Sequence, residues 1–203
     1  MKLNLGCCDR AVEGFIGVDI TPGPCVDVVC DLEGPWTKWP DGSVEEVMAF
    51  DVAEHVGDCD HSKQLCTVCD KTWSRVMDYM TGKPDVYSKV PRRHPLGRIH
   101  FLNELHRVLQ PGGRATIEVP NAAKGVGFVC DPTHKTPWCL STFKYFEAGT
   151  FAHGRLSKSY GITAAFRVID EHGNPSKVQE YECSGEDPRE RVWKIKAILE
   201  AVK

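Results

Sequence analysis

Long apolar runs are the first thing missing here: no stretch approaches the roughly 20 consecutive apolar residues that a membrane span needs. The opening residues, MKLNLGCC, hold only a scrap of apolar sequence, too short for the apolar centre of a secretion signal. An excess of one charge is missing too, since 25 Lys and Arg face 28 Asp and Glu for a net charge of -3. That balance excludes a whole-chain electrostatic pull toward nucleic acid or an anionic membrane, and leaves only a local basic patch open. Repeats and low-complexity tracts are also absent. The expectation is a soluble, cytoplasmic protein.

Cysteine, in contrast, is plentiful at ten residues. A disulfide framework belongs to shorter, exported chains, so reduced thiols with one metal site is the better reading. At 203 residues with 41% hydrophobic content, the chain has enough apolar material for a core of its own. One ordinary domain with an insertion follows from that size.

Short apolar runs alternate with Gly, Pro and Asp in the first fifty residues. Residues 2–5 stop at Gly6, 15–18 at Asp19, 26–30 at Asp31 and 44–50 at Asp51. Runs that all end in Gly or Asp predict parallel strands with their polar ends on one sheet edge. Ligands of open α/β sheets gather outside such carboxyl ends. Ile99, Leu102, Leu105, Val108 and Leu109 then fall on a helical stripe, which Pro111-Gly112-Gly113 stops. Residues 115–119 read as a strand and 140–148 as a short helix. Residues 162–169 and 177–183 read as strands of a hairpin around Glu171-His172-Gly173-Asn174. The tail, 188–202, reads as a helix with Val192, Ile195, Leu199 and Val202 on one side. The predicted architecture is a Rossmann-like, doubly wound α/β fold: a mostly parallel sheet, an antiparallel C-terminal hairpin and a small inserted subdomain.

That subdomain is residues 57–97, too long and too weakly patterned for a plain loop. It holds Cys59, His61, Cys66 and Cys69. A Cys-x2-Cys turn puts two thiolates on one side of a tight loop, and a third sulfur with an imidazole completes a tetrahedral set for structural zinc. The ion would supply folding energy that so little apolar content cannot. The other reading is an unliganded loop with exposed thiols. Lys83, Lys89, Arg92, Arg93 and Arg98 follow as a basic stretch around Tyr87, either a phosphate or nucleic-acid contact or a solvated linker.

The segment LNLGCCDRAVEGFIGVDI, residues 3–20, resembles the nucleotide-binding start of class I S-adenosylmethionine-dependent methyltransferases, of the small type-11-like kind. EEVMAFDVAEHV, residues 45–56, is similar to the family's fourth strand and the loop after it, with its Glu54-His55 pair. LNELHRVLQPGGRATIEVPN, residues 102–121, matches its helix, Pro-Gly-Gly turn and fifth strand. DPTHKTPWCLSTFKYF, residues 131–146, is similar to a segment on the substrate side. Four such segments in order cover most of residues 1–150, and the resemblance implies one methyltransferase-like domain over 1–203.

It further implies that Gly6 lets backbone approach the methionine part of S-adenosylmethionine, that Asp19 binds the ribose, and that Asp31 and Leu32 address the adenine. Asp51 joins the cofactor set or caps the following helix. Methyl transfer from a sulfonium needs positioning and exclusion of water, and a base only for a weakly acidic acceptor. His55 and His134 are the candidate bases; each could instead serve only a backbone or turn contact. Trp138 stacks on a flat substrate or packs in the core. The expected reaction is methyl transfer to an oxygen or nitrogen of a small-molecule or glycan-like acceptor. Two alternatives stay open: a nucleic-acid methyltransferase docking through the zinc and basic insertion, and a non-catalytic protein of the same fold. The second draws on Cys7 and Cys8, where the family has Gly-x-Gly, and on a chain that begins directly at the first strand.

Overall fold

A computed structural model describes residues 1–57, 97–183 and 192–203, with the backbone of 59–60 and 93–94. The four early runs form β1 (Lys2–Leu5), β2 (Ile16–Asp19), β3 (Val28–Val29) and β4 (Val44–Phe50). All pair in parallel, in the order β3-β2-β1-β4. The chain therefore winds outward from β1 in one direction and then returns to start again beside it, a reversal that opens a crevice at the carboxyl edge. The link from β1 to β2, residues 6–15, carries no helix.

β5 (Cys59–Asp60) and β6 (Arg93–His94) form a separate antiparallel pair. Gly57 and Gly97 meet nearby: a Cβ on Gly97 would lie 2.2 Å from the Gly57 carbonyl oxygen, so the two crossing backbones need glycine there. Helix α1 (Gly97–Val108) follows, and its predicted stripe of Ile99, Leu102, Leu105 and Val108 is buried. Its polar residues are equally committed. Glu104, 1% exposed, accepts from the Trp36 amide (3.0 Å) and pairs with Arg107 (2.9 Å). Arg107 also donates to the carbonyls of Trp36 and Trp39 and to Asp41. One ion pair on α1 thus pins the loop that leaves β3.

β7 (Leu109–Gly125) extends the sheet in parallel beside β4, and β10 (Val192–Ala201) closes antiparallel onto β7. Three helices lie between β7 and the last strands: α2 (Gly127–Cys130), α3 (Leu140–Phe143) and α4 (Phe151–Tyr160). Helix α4 was not foreseen, though its signals are in the sequence. Thr150 accepts from the His153 amide at the start, and Gly161 ends it in the left-handed conformation. Helix α3 spans only the first part of the predicted 140–148.

The fold is the predicted mixed α/β type, a mostly parallel sheet with antiparallel pairing at its C-terminal side. Two details of the tail differ from expectation. β10 is a strand, not a helix: Ile195, Ala197, Leu199 and Ala201 are buried in strict alternation. Ile195 and Leu199 are four apart, a spacing that both periods accept, and the slot beside β7 selects the strand. β8 (Phe166–Ile169) and β9 (Gln179–Cys183) do not pair with each other as a hairpin. They lie end to end on β10, along residues 198–201 and 192–196. The turn between them is real, with the Gly173 amide donating to the Asp170 carbonyl at 3.0 Å.

One sheet face is apolar: Leu3, Leu5, Val47, Ala49, Ile117 and Ile195 are fully buried in one core with the α1 stripe. The other is half-exposed and laced with ion pairs such as Lys2–Glu46 and Lys194–Asp51, both at 2.7 Å. Among the described residues no helix is long and apolar enough to cross a membrane.

Candidate functional site

A cavity of about 240 Å³ sits at the carboxyl edge where the strand order reverses. Gly6 follows β1, Asp19 ends β2, Asp31 and Leu32 follow β3, and His55 follows β4; all five line it. The volume is just below the roughly 300–1,000 Å³ of drug-sized pockets, so an extended ligand would reach out of it.

The residues of the first wall are held by the turns that follow β1, β2 and β3. Gly6 has φ +67°, and a Cβ there would lie 2.6 Å from Cβ of Val52 across the cavity floor. Only glycine combines that conformation with that approach. The Asp19 carboxylate accepts from the Cys8 amide through Oδ2 and from the Thr21 amide through Oδ1, both at 3.0 Å. A carboxylate has about four acceptor sites, so lone pairs remain for a ligand diol. Asp31 accepts from the Glu33 amide at 2.9 Å, which fixes its carboxylate beside Leu32. Cys7 turns away from the cavity, its thiol donating to the Cys25 carbonyl and its side chain 1% exposed. Cys8 is exposed, with φ +48°, the conformation a glycine would take at that place.

The second wall is built by a loop distant in sequence. The amides of Lys135 and Thr136 donate to the Glu54 carbonyl at 2.9 Å, and the Thr136 hydroxyl donates to the Val56 carbonyl. This docks the Asp-Pro-Thr-His turn against the segment after β4. Thr133 gives its hydroxyl hydrogen to Asp131 Oδ1 at 2.6 Å and stands 3.1 Å from His55 Nδ1. His134 is nearly buried, with Nδ1 2.9 Å from the Phe128 carbonyl oxygen and its ring 4.7 Å from that of His55. Glu54 is fully buried, and neither of its carboxyl oxygens has a hydrogen-bond partner among the described residues. Burial pushes this carboxyl up to about 8; its own backbone amide and Lys194 oppose the push, and Asp51 and Asp131 add to it.

Gly6, Asp19, Asp31, Leu32 and His55 are therefore brought to one cavity. Asp51 is not among the lining residues; its carboxylate is paired with Lys194 at 2.7 Å, and its backbone has φ +52°. His134 stands behind His55 rather than on the cavity surface. Trp138 is fully buried against Phe143, the packing alternative of its two readings. Arg98 donates to the Pro137 carbonyl at 2.6 Å. Of the expected zinc set, His61, Cys66 and Cys69 lie outside the described residues, as do Lys83, Lys89 and Arg92 of the basic stretch and the bulk of the insertion, and Cys59 is described only in its backbone. Glu54 and Thr133 were quoted in motifs without a role; the signal for them is the pairing of Glu-His with Asp-Pro-Thr-His, which only the docked loop brings together.

No protein-family model matches the chain. No curated protein matches it in sequence. Solved structures do. A SAM-dependent methyltransferase from Archaeoglobus fulgidus is 18% identical with a TM-score of 0.50, over 98% of this chain and 85% of that one. A protein from Bacillus halodurans assigned to the methyltransferases is 11% identical with a TM-score of 0.51, over 100% of this chain and 92% of that one. The chain thus has the fold of the class I methyltransferases.

Proposed function

We propose that the chain transfers a methyl group from S-adenosylmethionine to an oxygen or nitrogen of a small-molecule or glycan-like acceptor. The observation that carries this reading is the Asp19 carboxylate, held by two backbone amides at the end of β2, with Gly6 and Asp31 on the neighbouring turns of the same cavity. A carboxylate so fixed accepts from both hydroxyls of a ribose. Asp31 and Leu32, one strand further out, suit the amine and the face of an adenine. Gly6 leaves room for an amino-acid tail against backbone amides.

When bound, the cofactor would supply a methyl group already activated on a sulfonium, with S-adenosylhomocysteine as the thioether leaving group. What remains for the protein is to orient both partners, exclude water and take up the acceptor's proton. His55, on the cavity lining, is the group proposed for that last task. Thr133 has one hydrogen and gives it to Asp131, so the hydrogen between Thr133 and His55 belongs to Nδ1. In the neutral ring His55 Nε2 then carries the lone pair. Zinc on Cys59, His61, Cys66 and Cys69 is a separate proposal from the sequence, measured by the metal content of wild type against Cys66→Ser.

Calorimetric titration with S-adenosylmethionine and S-adenosylhomocysteine tests the reading. Micromolar binding that Asp19→Ala weakens by at least about 100-fold, some 2.7 kcal/mol, is expected. Absence of binding at millimolar ligand would leave a methyltransferase fold without its cofactor, and the non-catalytic alternative would then stand.

A further inference from the structure

The second wall of the cavity contains a group that the methyl-transfer reading leaves unexplained. Glu54 is 0% exposed, yet both of its carboxyl oxygens lack a hydrogen-bond partner among the described residues. A buried carboxyl with neither oxygen engaged is expensive, and native proteins rarely keep one without a use. Two imidazoles stand beside it. Ligand atoms of Glu54, His55 and His134 all lie within 4.8 Å of one another, and His134 Nε2 is 3.8 Å from Glu54 Oε1.

Both rings are oriented in the same sense. His134 Nδ1 faces the Phe128 carbonyl oxygen, which can only accept, so Nδ1 carries the hydrogen, and in the neutral ring Nε2 carries the lone pair. His55 reaches the same tautomer through Thr133, whose own hydrogen is spent on Asp131. A ring whose Nδ1–H is anchored by a carbonyl or hydroxyl while Nε2 is left free is the arrangement that orients imidazoles toward metal ions. With metal–ligand bonds of about 2.1 Å, the edge of a tetrahedral set is roughly 3.4 Å, so an ion would draw the three groups closer than they now stand.

We infer that Glu54, His55 and His134 form a binding site for a divalent first-row transition cation on the acceptor side of the cavity. The donor set of two nitrogens and one carboxylate, without sulfur, separates it from the cysteine set of the insertion and suits Mn²⁺, Fe²⁺, Co²⁺ or Zn²⁺. Asp131 Oδ2, 3.7 Å from His134 Nε2, stands at its rim. Three protein ligands leave coordination positions open, and His55 lines the cavity, so an acceptor hydroxyl is a fitting further ligand. That ion would lower the pKa of the hydroxyl so that its proton passes to solvent water, in place of a free imidazole base. This last step rests on the methyl-transfer reading; binding of the ion does not.

Chelator-treated full-length protein is titrated with Mn²⁺, followed by loss of the free-ion electron paramagnetic resonance signal, and with Co²⁺ and Zn²⁺ by calorimetry. One Mn²⁺ per chain is expected. Glu54→Gln and His134→Gln should each weaken it by at least about tenfold, with circular dichroism unchanged, whereas Cys66→Ser/Cys69→Ser leaves it intact. Glu54→Gln is close in shape and uncharged, so it serves as the variant that folds if His134→Gln does not. No uptake of any of the three ions at millimolar concentration overturns the site. So does uptake that Glu54→Gln leaves unchanged, or that only the cysteine variant removes. Loss of ion binding with S-adenosylhomocysteine binding intact defeats this inference alone, and the converse defeats only the cofactor reading.

Discussion

The two walls of the cavity are built on opposite principles. On the first, Asp19 accepts from the amides of Cys8 and Thr21 and Asp31 accepts from that of Glu33, so the turns after β1, β2 and β3 have fixed both carboxylates before any ligand arrives. On the second, Glu54, His55 and His134 are assembled from segments about eighty residues apart, and the central carboxyl has no hydrogen-bond partner among the described residues. A wall whose polar groups are satisfied serves recognition, because it costs nothing to hold in place. A wall that buries a carboxyl without a partner among the described residues holds it at the cost of a raised pKa, and a further ligand would relieve it.

The largest effect on this contrast should come from outside both walls. Arg107 is the cation that neutralises the buried Glu104 and fastens the loop after β3. Arg107→Met strands that carboxylate and should cost about 3–5 kcal/mol in urea unfolding. It should also weaken S-adenosylhomocysteine binding, since Asp31 and Leu32 begin the released loop, while leaving Mn²⁺ binding at the second wall largely unchanged. Equal loss of both ligands would show that the walls are not independent. Gly6→Ala comes next. A left-handed alanine costs about 1–2 kcal/mol. The clash with Val52 adds about 1–3 kcal/mol, so a stability loss near 3 kcal/mol with loss of cofactor binding is expected.

The first wall was legible in the sequence for the reason it is rigid. Gly6, Asp19 and Asp31 each end a short apolar run, and strand-then-turn is a local pattern. The second wall was half legible: Glu54-His55 and Asp131-Pro132-Thr133-His134 stand out as motifs, but their meeting depends on amides of Lys135 and Thr136 finding the Glu54 carbonyl. Nothing local encodes that contact. The tail was misread because Ile195 and Leu199 satisfy helical and strand periods alike, and only the vacancy beside β7 decides between them. Asp51, at the end of the fourth run like its neighbours, answers instead to Lys194 on that same late strand.

Cys8 sharpens the comparison from the first wall's weakest point. It keeps φ +48° with no glycine to relax it, and it is exposed beside the cavity rather than lining it. Cys8→Gly should therefore raise stability by about 1 kcal/mol, the relief of a left-handed side chain less glycine's extra chain entropy. Affinity for S-adenosylhomocysteine should not change, because the Cys8 amide that holds Asp19 is retained. Binding that appears only in the variant would mean that the thiol, not the turn, governs the cavity, and the first wall would lose its claim to be preformed.

The smallest effect provides a control that belongs to neither wall. His106, on α1, donates to or accepts from nothing in the cavity; its Nε2 is 2.9 Å from the Val202 carbonyl oxygen and its ring meets Phe166 edge-on. Burial holds its pKa below the ordinary 6.5; Lys203 and His153 push the same way, and the Val202 and Ala165 carbonyls oppose them. The unfolded chain therefore takes up its proton first as pH falls. The stability contribution is whole above about 6.5, declines as pH drops through that value, and levels off once the folded form is protonated as well. The Glu54 carboxyl, lifted to about 8, gives a slope of opposite sign over part of the same range. The test is hence the difference between two proteins. Urea midpoints of His106→Gln minus wild type, taken between about pH 7.5 and pH 5, should grow as pH falls. A constant difference would place the acid sensitivity elsewhere, and the second wall would then have to account for it.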